Sequence, residues 1–226
     1  MVRCLITPPS PASEVMAQDE LLLEQLANEP ILHLYEWQRP SLTFGYFIEP
    51  NKFLNLDALA RHGIDMARRP TGGGVVFHIW DLAFSFLMPS SHPRYSETPL
   101  ENYRFVNSVV LAALQSFLKQ AQLLPATPIK PEVCRHFCMA QPTQYDVVWQ
   151  GRKVAGSAQR KKKQGYLHQG TIAIHGPDIG LLQELVQDKL IWQSIETEGF
   201  LAHVPLTEAR QQVTYALKQA FVDKLG

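Results

Sequence analysis

Between two short apolar runs the chain reads Arg68-Arg69-Pro70-Thr71-Gly72-Gly73-Gly74-Val75-Val76-Phe77-His78, and three glycines in a row constrain the fold more than any other feature. Glycine has no Cβ, so the run can turn through positive φ and let another group approach the backbone. The adjacent arginines suit a carboxylate or phosphate, because a guanidinium offers a planar fork of donors. Read from the residues alone, the segment is either a glycine-rich hairpin or one wall of a ligand site. It is not a Walker loop, because no Gly-Lys-Ser/Thr follows, nor a dinucleotide fingerprint.

The flanking periodicity predicts an α+β chain. A helix is expected over 13–27, capped by Ser13, with Met16, Leu22, Leu23 and Leu26 as its apolar stripe. Runs at 31–37 and 41–47 read as strands, and a short helix over 57–62 stops at Gly63. Residues 64–68 and 75–78 flank the glycines, and 82–88 alternate as a further strand. The longest helix is expected over 99–122, with Pro99 in its first turn and Phe105, Val109, Ala112, Ala113 and Phe117 facing inward. Residues 123–144 are irregular, with four prolines. Then 145–149, a Gln150-Gly151 turn, 153–158, a basic turn at 160–164, and 166–175 read as a strand meander. Helices over 178–189 and 207–225 follow. Antiparallel strands with long helices before, between and after them argue for one α+β domain over residues 1–226.

Composition narrows the function. With 226 residues, 46% hydrophobic and 19% charged, the chain is not disordered and can bury a core without disulfides. Lys+Arg and Asp+Glu both number 21, so no basic surplus exists to displace counterions from nucleic acid. The greasiest stretch, 75–88, is broken by His78 and Asp81 and is too short to span a bilayer. Residues 1–11 lack the apolar core of a signal peptide. Three cysteines, Cys4, Cys134 and Cys138, favour a reducing, cytoplasmic compartment.

Two further segments carry chemistry. One is Gly151-Arg152-Lys153-Val154-Ala155-Gly156-Ser157-Ala158, followed by Leu167-His168-Gln169-Gly170-Thr171. Small residues at 155–158 leave space over a sheet, and Lys153 is either a solvated turn lysine or a cation inside a tunnel. The other is Cys134-Arg135-His136-Phe137-Cys138, which lacks a fourth ligand for zinc, so no metal is expected and Cys134 reads as a buried small side chain. Arg160-Lys161-Lys162-Lys163 reads as a solvated turn, better suited to an acidic carrier protein than to nucleic acid.

In this order and spacing, with Met16-Ala17-Gln18-Asp19-Glu20 and Leu42-Thr43-Phe44-Gly45-Tyr46, the three segments resemble the biotin/lipoate protein ligase family in its lipoate and octanoate branch. The resemblance covers roughly residues 13–175 and implies a mixed, mostly antiparallel sheet curved around an acyl tunnel and flanked by helices. It assigns substrate contacts to Arg69, Thr71, Gly72, Gly73, Gly74, Val75, Phe77, His78, Asp146, Gly156, Ser157, Ala158, His168 and Gly170, and sets Lys153 at the acyl carbonyl. The loop from Cys138 through Pro142 to Tyr145-Asp146 is similar to that of cysteine-dependent octanoyltransferases, which implies Cys138 as the acyl-carrying nucleophile. Lipoate–adenylate ligases carry an Asn where Tyr145 stands, and the short stretch after His175 implies no C-terminal accessory domain. Three features depart from the transferases or from both branches: the intact third glycine, Ile79 after His78, and Gln169 before Gly170.

The implied activity is transfer of an octanoyl or lipoyl group, without a cofactor, from an acyl carrier protein or acylated donor. The acceptor would be a lysine of a lipoyl domain of 2-oxoacid dehydrogenases or of the glycine-cleavage H protein. One alternative is a lipoate–protein ligase using ATP and Mg²⁺ through lipoyl-AMP. Another is a non-catalytic binder of acylated carrier domains. Neither nucleic acid nor membrane is an expected partner.

Overall fold

The computed structural model describes residues 1–195 and 199–226. Its strands are β1 (Arg3–Ser10), β2 (Ile31–Trp37), β3 (Ser41–Phe44), β4 (Asp65–Arg68), β5 (Val76–His78), β6 (Asp81–Pro89), β7 (Gln122–Leu123), β8 (Val147–Trp149), β9 (Arg152–Lys162) and β10 (Gly165–Ala173). Its helices are α1 (Ala12–Glu24), α2 (Leu56–Arg61), α3 (Pro99–Leu114), α4 (Ile179–Leu185), α5 (Lys189–Ser194) and α6 (Leu206–Leu225). A seven-stranded sheet runs β1-β2-β6-β10-β9-β8-β7 and a three-stranded sheet runs β4-β3-β5. Among the strands of the described residues only β1/β2 and β3/β4 pair in parallel, so the expected mixed, mostly antiparallel α+β architecture is what the chain adopts.

Helices cover both faces of the large sheet. α3 and α6 bury Val106, Val110, Val213, Leu217 and Phe221 against Phe84 and Phe86 of β6, while α1 sets Val15 and Met16 beside Tyr35 and Ala83. Every residue of β6 is consequently buried, and its alternation reports two cores rather than one wet face. The small sheet has its own core, in which Leu42 and Phe77 meet Leu59, Phe137, Leu182 and Ile191.

Several expectations are corrected. β1 went unread because Pro8 and Pro9 sit in it, and an edge strand tolerates proline where a central one cannot. α1 starts at Ala12 with Pro11 at its cap position, so Ser13 is not the cap. The Ala12 N–H donates instead to Asp65 Oδ2, at 2.9 Å. α3 ends at Leu114, the longest helix among the described residues is α6, and Ala112 is exposed. Arg160, Lys161 and Lys162 belong to β9 rather than to a turn, paired with Glu20, Glu97 and Glu24.

The glycine run is not a hairpin. β4 and β5 never pair; each borders β3, so residues 69–75 cross from one side of β3 to the other. They pass the end of β3 at Gly45, where a Cβ would lie 1.9 Å from the Gly73 carbonyl oxygen. Residue 45 must therefore be glycine.

A candidate cysteine–lysine active site

β8 and β9 are joined by Gln150 (φ 50°) and Gly151 (φ 76°), both left-handed, as a two-residue hairpin demands. Just beyond, Val148 faces Lys153 while Val147 faces Ala155, which leaves Val154 as an extra residue on β9. Such a bulge re-aims the side chains beside it. Lys153 lies over Gly156, where a Cβ would come within 2.1 Å of the lysine Cε, so the small residue makes room for the lysine as well as for a ligand.

The cysteine arrives from the other side. The Val75 N–H donates to His136 O at 2.6 Å and the Cys138 N–H to Val75 O at 3.0 Å, fastening the cysteine loop to the glycine segment. Cys138 Sγ then stands 3.5 Å from Lys153 Nζ. The ammonium also donates to Cys138 O at 2.8 Å and Gln141 O at 3.4 Å, and pairs with Asp146 Oδ2 at 2.8 Å. Lys153 is 4% exposed and Asp146 fully buried. Burial pulls the ammonium pKa down, but Asp146, Cys138 and Tyr103 outweigh it and leave it raised. Lys153 therefore stays a cation at neutral pH: it can hold negative charge but cannot accept a proton.

A narrow cavity between the two sheets opens beside this pair. Of the expected contacts, Arg69, Gly73, His78, Gly156, Ser157, Ala158 and Gly170 line it together with Cys138. Arg69 spends its donors on the wall: Nη1 on Thr43 Oγ1 at 2.8 Å, Nη2 on the carbonyls of Gly72 and Gly74 at 3.1 and 2.6 Å. Burial also lowers its pKa, yet it remains charged. His78 bridges Asp81 Oδ2 (2.7 Å) and Thr43 Oγ1 (2.8 Å) and stacks on Trp37.

The other expected contacts sit elsewhere. Thr71 is buried and donates to Gln169 Oε1 at 2.7 Å. Gly72 gives its carbonyl to Arg69, and Gly74 packs on the His136 backbone, where a Cβ would meet atoms at 2.4 Å. Val75 and Phe77 line an adjoining apolar cavity with Trp80, Met139 and Ile195, which shares Val76 and Thr171 with the first. Asp146 holds Lys153 rather than facing the cavity. Cys134 is fully buried in the small-sheet core. His168 is fully buried against Phe84 and Tyr103, giving Nδ1–H to Gln159 and leaving Nε2 without a partner.

Three contributors are not among the site residues that the sequence indicates. Tyr103 donates to Asp146 Oδ1 at 2.5 Å. Gln169 lines the cavity, accepting from Thr71 and donating to the buried Asp19 at 2.6 Å. Thr43 links Arg69 to His78. Their partners lie tens of residues away; Thr43 and Gln169 stand in segments that carry the family resemblance, but nothing local marks the contacts they make.

Two consequences can be measured here. Burial drives the His168 pKa down to about 3. The unfolded chain takes up this proton near pH 6.5 and the folded one only near 3, so stability is whole above about pH 6.5 and drains as pH falls. At about pH 4.5 the loss reaches roughly 3 kcal/mol. Relative to wild type, His168→Phe should gain about that much between about pH 7.5 and 4.5 in urea titrations; an unchanged difference would mean a protonated His168 is accommodated.

The second concerns Gly73, at φ 82°, whose missing Cβ would sit 3.3 Å from Arg69 Nη2 and 3.4 Å from Ala158 Cβ. Gly73→Val should cost about 2 kcal/mol or more in backbone strain and block the cavity. Loss of the acyl binding that the family resemblance implies, with native near-ultraviolet dichroism, is the expected result. Undiminished binding would return Gly73 to a plain crossing.

Fold and site define one class: the chain belongs to the lipoyl protein ligase A/B catalytic domain family, which it matches over residues 11–220. Among curated relatives it is 34% identical over 184 residues to the Octanoyltransferase LipM of Lysinibacillus sphaericus, covering 78% of this chain and 63% of that protein. It is 30% identical over 217 residues to the Octanoyltransferase LipM of Staphylococcus aureus, covering 92% of this chain and 71% of that one. A bi-partite lipoate protein ligase from Thermoplasma acidophilum, studied with its E2 lipoyl domain, superposes with a TM-score of 0.71 at 23% identity, over 97% of this chain and 83% of that one. That last likeness shows the fold alone. The chain thus spans about three fifths of the length of several curated relatives it matches.

Proposed function

We propose that the chain transfers an octanoyl or lipoyl group from a carrier thioester to a lysine of a lipoyl domain, through a thioester on Cys138. The observation that carries this reading is Cys138 Sγ at 3.5 Å from the buried Lys153 ammonium, at the edge of a cavity between the sheets. The likeness to octanoyltransferases supports the reaction class. The pairing of the archaeal ligase with an E2 lipoyl domain supports the acceptor class, to which the glycine-cleavage H protein would also belong.

In the first half-reaction Cys138 sulfur attacks the donor carbonyl. A C–Sγ bond forms, the donor C–S bond breaks, and the thiol proton leaves with the carrier thiol. In the second, the neutral acceptor amine attacks; a C–N bond forms, the C–Sγ bond breaks, and the proton lost by nitrogen restores the thiol. Both steps pass through an oxyanion, and Lys153 is the fixed cation beside it. Neither half needs ATP or a metal. The unpaired thiols of Cys4, Cys134 and Cys138 fit a reducing compartment such as the cytoplasm.

Incubation with octanoyl–acyl carrier protein, without ATP, should add one octanoyl mass to the intact chain. A lipoyl domain added next should remove it and gain it. Lipoylation that requires ATP and Mg²⁺ with no adduct would replace this reading by the ligase. An acylated carrier bound without turnover would replace it by the non-catalytic binder.

A further inference from the structure

Resting on that reading, we propose that Tyr103 of α3 is a positioning residue for the Cys138–Lys153 pair and acts through Asp146. The ammonium has three N–H donors, but four acceptors crowd it within 3.5 Å: Asp146 Oδ2, Cys138 O, Gln141 O and Cys138 Sγ. They compete, and the share left for sulfur depends on how strongly Asp146 pulls.

The pull of Asp146 is set from α3. The carboxylate is fully buried and its oxygens divide their work. Oδ2 accepts from Thr143 N–H (2.6 Å) and Oγ1 (3.0 Å) as well as from Lys153. Oδ1 accepts from Tyr103 OH at 2.5 Å. The phenol oxygen accepts from Ser157 N–H at 3.1 Å, and Ser157 O, also at 3.1 Å, is a second acceptor for its proton; the shorter, charged Asp146 Oδ1 is the stronger of the two. A hydrogen bond to an anion draws off part of its charge and weakens its hold on the lysine.

One helical turn later Asn107 completes the clamp. Its Nδ2 donates to Tyr145 O at 2.9 Å, and its Oδ1 accepts from Ser157 Oγ at 3.2 Å. Tyr145 has φ 69°, a conformation that needs outside support in a residue other than glycine, and it leads directly into Asp146. Residues four apart share one helix face, so α3 fixes both the direction and the charge of the carboxylate. Among the charges that bear on Cys138, Arg69 is committed to Thr43 and the glycine carbonyls. His78, across the cavity, is committed to Asp81 and Thr43. Neither changes when the phenol is removed.

Tyr103→Phe should lower kcat for acyl loading roughly tenfold, the scale of one charge-assisted hydrogen bond, with KM unchanged. The pH of half-maximal loading should rise, because Asp146 then keeps the ammonium from sulfur. Incorporating 3-fluorotyrosine at 103 retains the hydroxyl as a stronger donor and should move that pH the other way, which covers the case of a poorly folded phenylalanine variant. Iodoacetamide alkylation of Cys138 needs no carrier and should show the same two opposite displacements. Should the wild type take up no octanoyl group, the acyl-transfer reading falls and the alkylation profiles still judge Tyr103. Profiles that coincide with wild type, or that move in the same direction for both variants, overturn the proposal.

Discussion

Cys138→Ser should abolish the proposed acyl transfer: a loss of about a thousandfold or more is expected, because a serine hydroxyl beside the same lysine is far less nucleophilic than a thiol near neutral pH. The geometry singles out this cysteine. Cys138 alone among the three contacts a buried cation and lines the cavity. Cys134 is fully buried, its Sγ 3.5 Å from Ser194 Oγ, and Cys4 lies in the edge strand β1. Cys134→Ser and Cys4→Ser should therefore keep the rate within a few fold. Intact-mass measurement should find one octanoyl group on the wild type, removable by hydroxylamine, and none on Cys138→Ser. Full activity in Cys138→Ser with a strict need for ATP and Mg²⁺ would instead leave the cysteine idle and make Lys153 the centre of a ligase.

Lys153→Ala should fail twice. The acyl oxyanion loses its fixed cation, which is worth about a hundred- to a thousandfold in rate. Asp146 meanwhile becomes a buried carboxylate without its cation, a defect of about 3–5 kcal/mol. In the wild type the raised Lys153 pKa makes the pair's contribution to stability complete at neutral pH, to be lost only as pH climbs through the folded-state value. Lys153→Arg keeps the charge and should still fail, because the space over Gly156 fits a slender methylene chain and not a planar fork. Single-turnover loading and urea titration separate the two losses. A wild-type rate in Lys153→Ala would remove the lysine from the site.

Local patterns were legible where local physics decides. The β8–β9–β10 meander shows in alternation and in Gln150-Gly151, whose positive φ values the turn requires. Cys138 and Lys153 could be named because their flanking residues carry a pattern. The glycine run leaves a hairpin open in the sequence because nothing in its neighbours reveals that β3 inserts between β4 and β5. Asp146 and His168 stand in segments that resemble binding motifs, yet each turns away: one to hold Lys153, the other into the packing around Phe84. Tyr103 was invisible, because a tyrosine on a helix is unremarkable until Asp146, 43 residues on, folds against it.

The fastening of Cys138 to Val75 has a consequence for the order of events during synthesis. The thiol is placed by the small sheet, through a segment more than sixty residues upstream. The lysine is placed by β9, a central strand whose neighbour β10 ends at Ala173. Thiol and ammonium therefore meet only after both sheets have closed on each other. On the proposed reading, a nascent chain that has exposed Cys138 but not yet β9 carries a thiol without its lysine partner. On the acyl-transfer reading, acyl uptake should therefore report that the two sheets have come together.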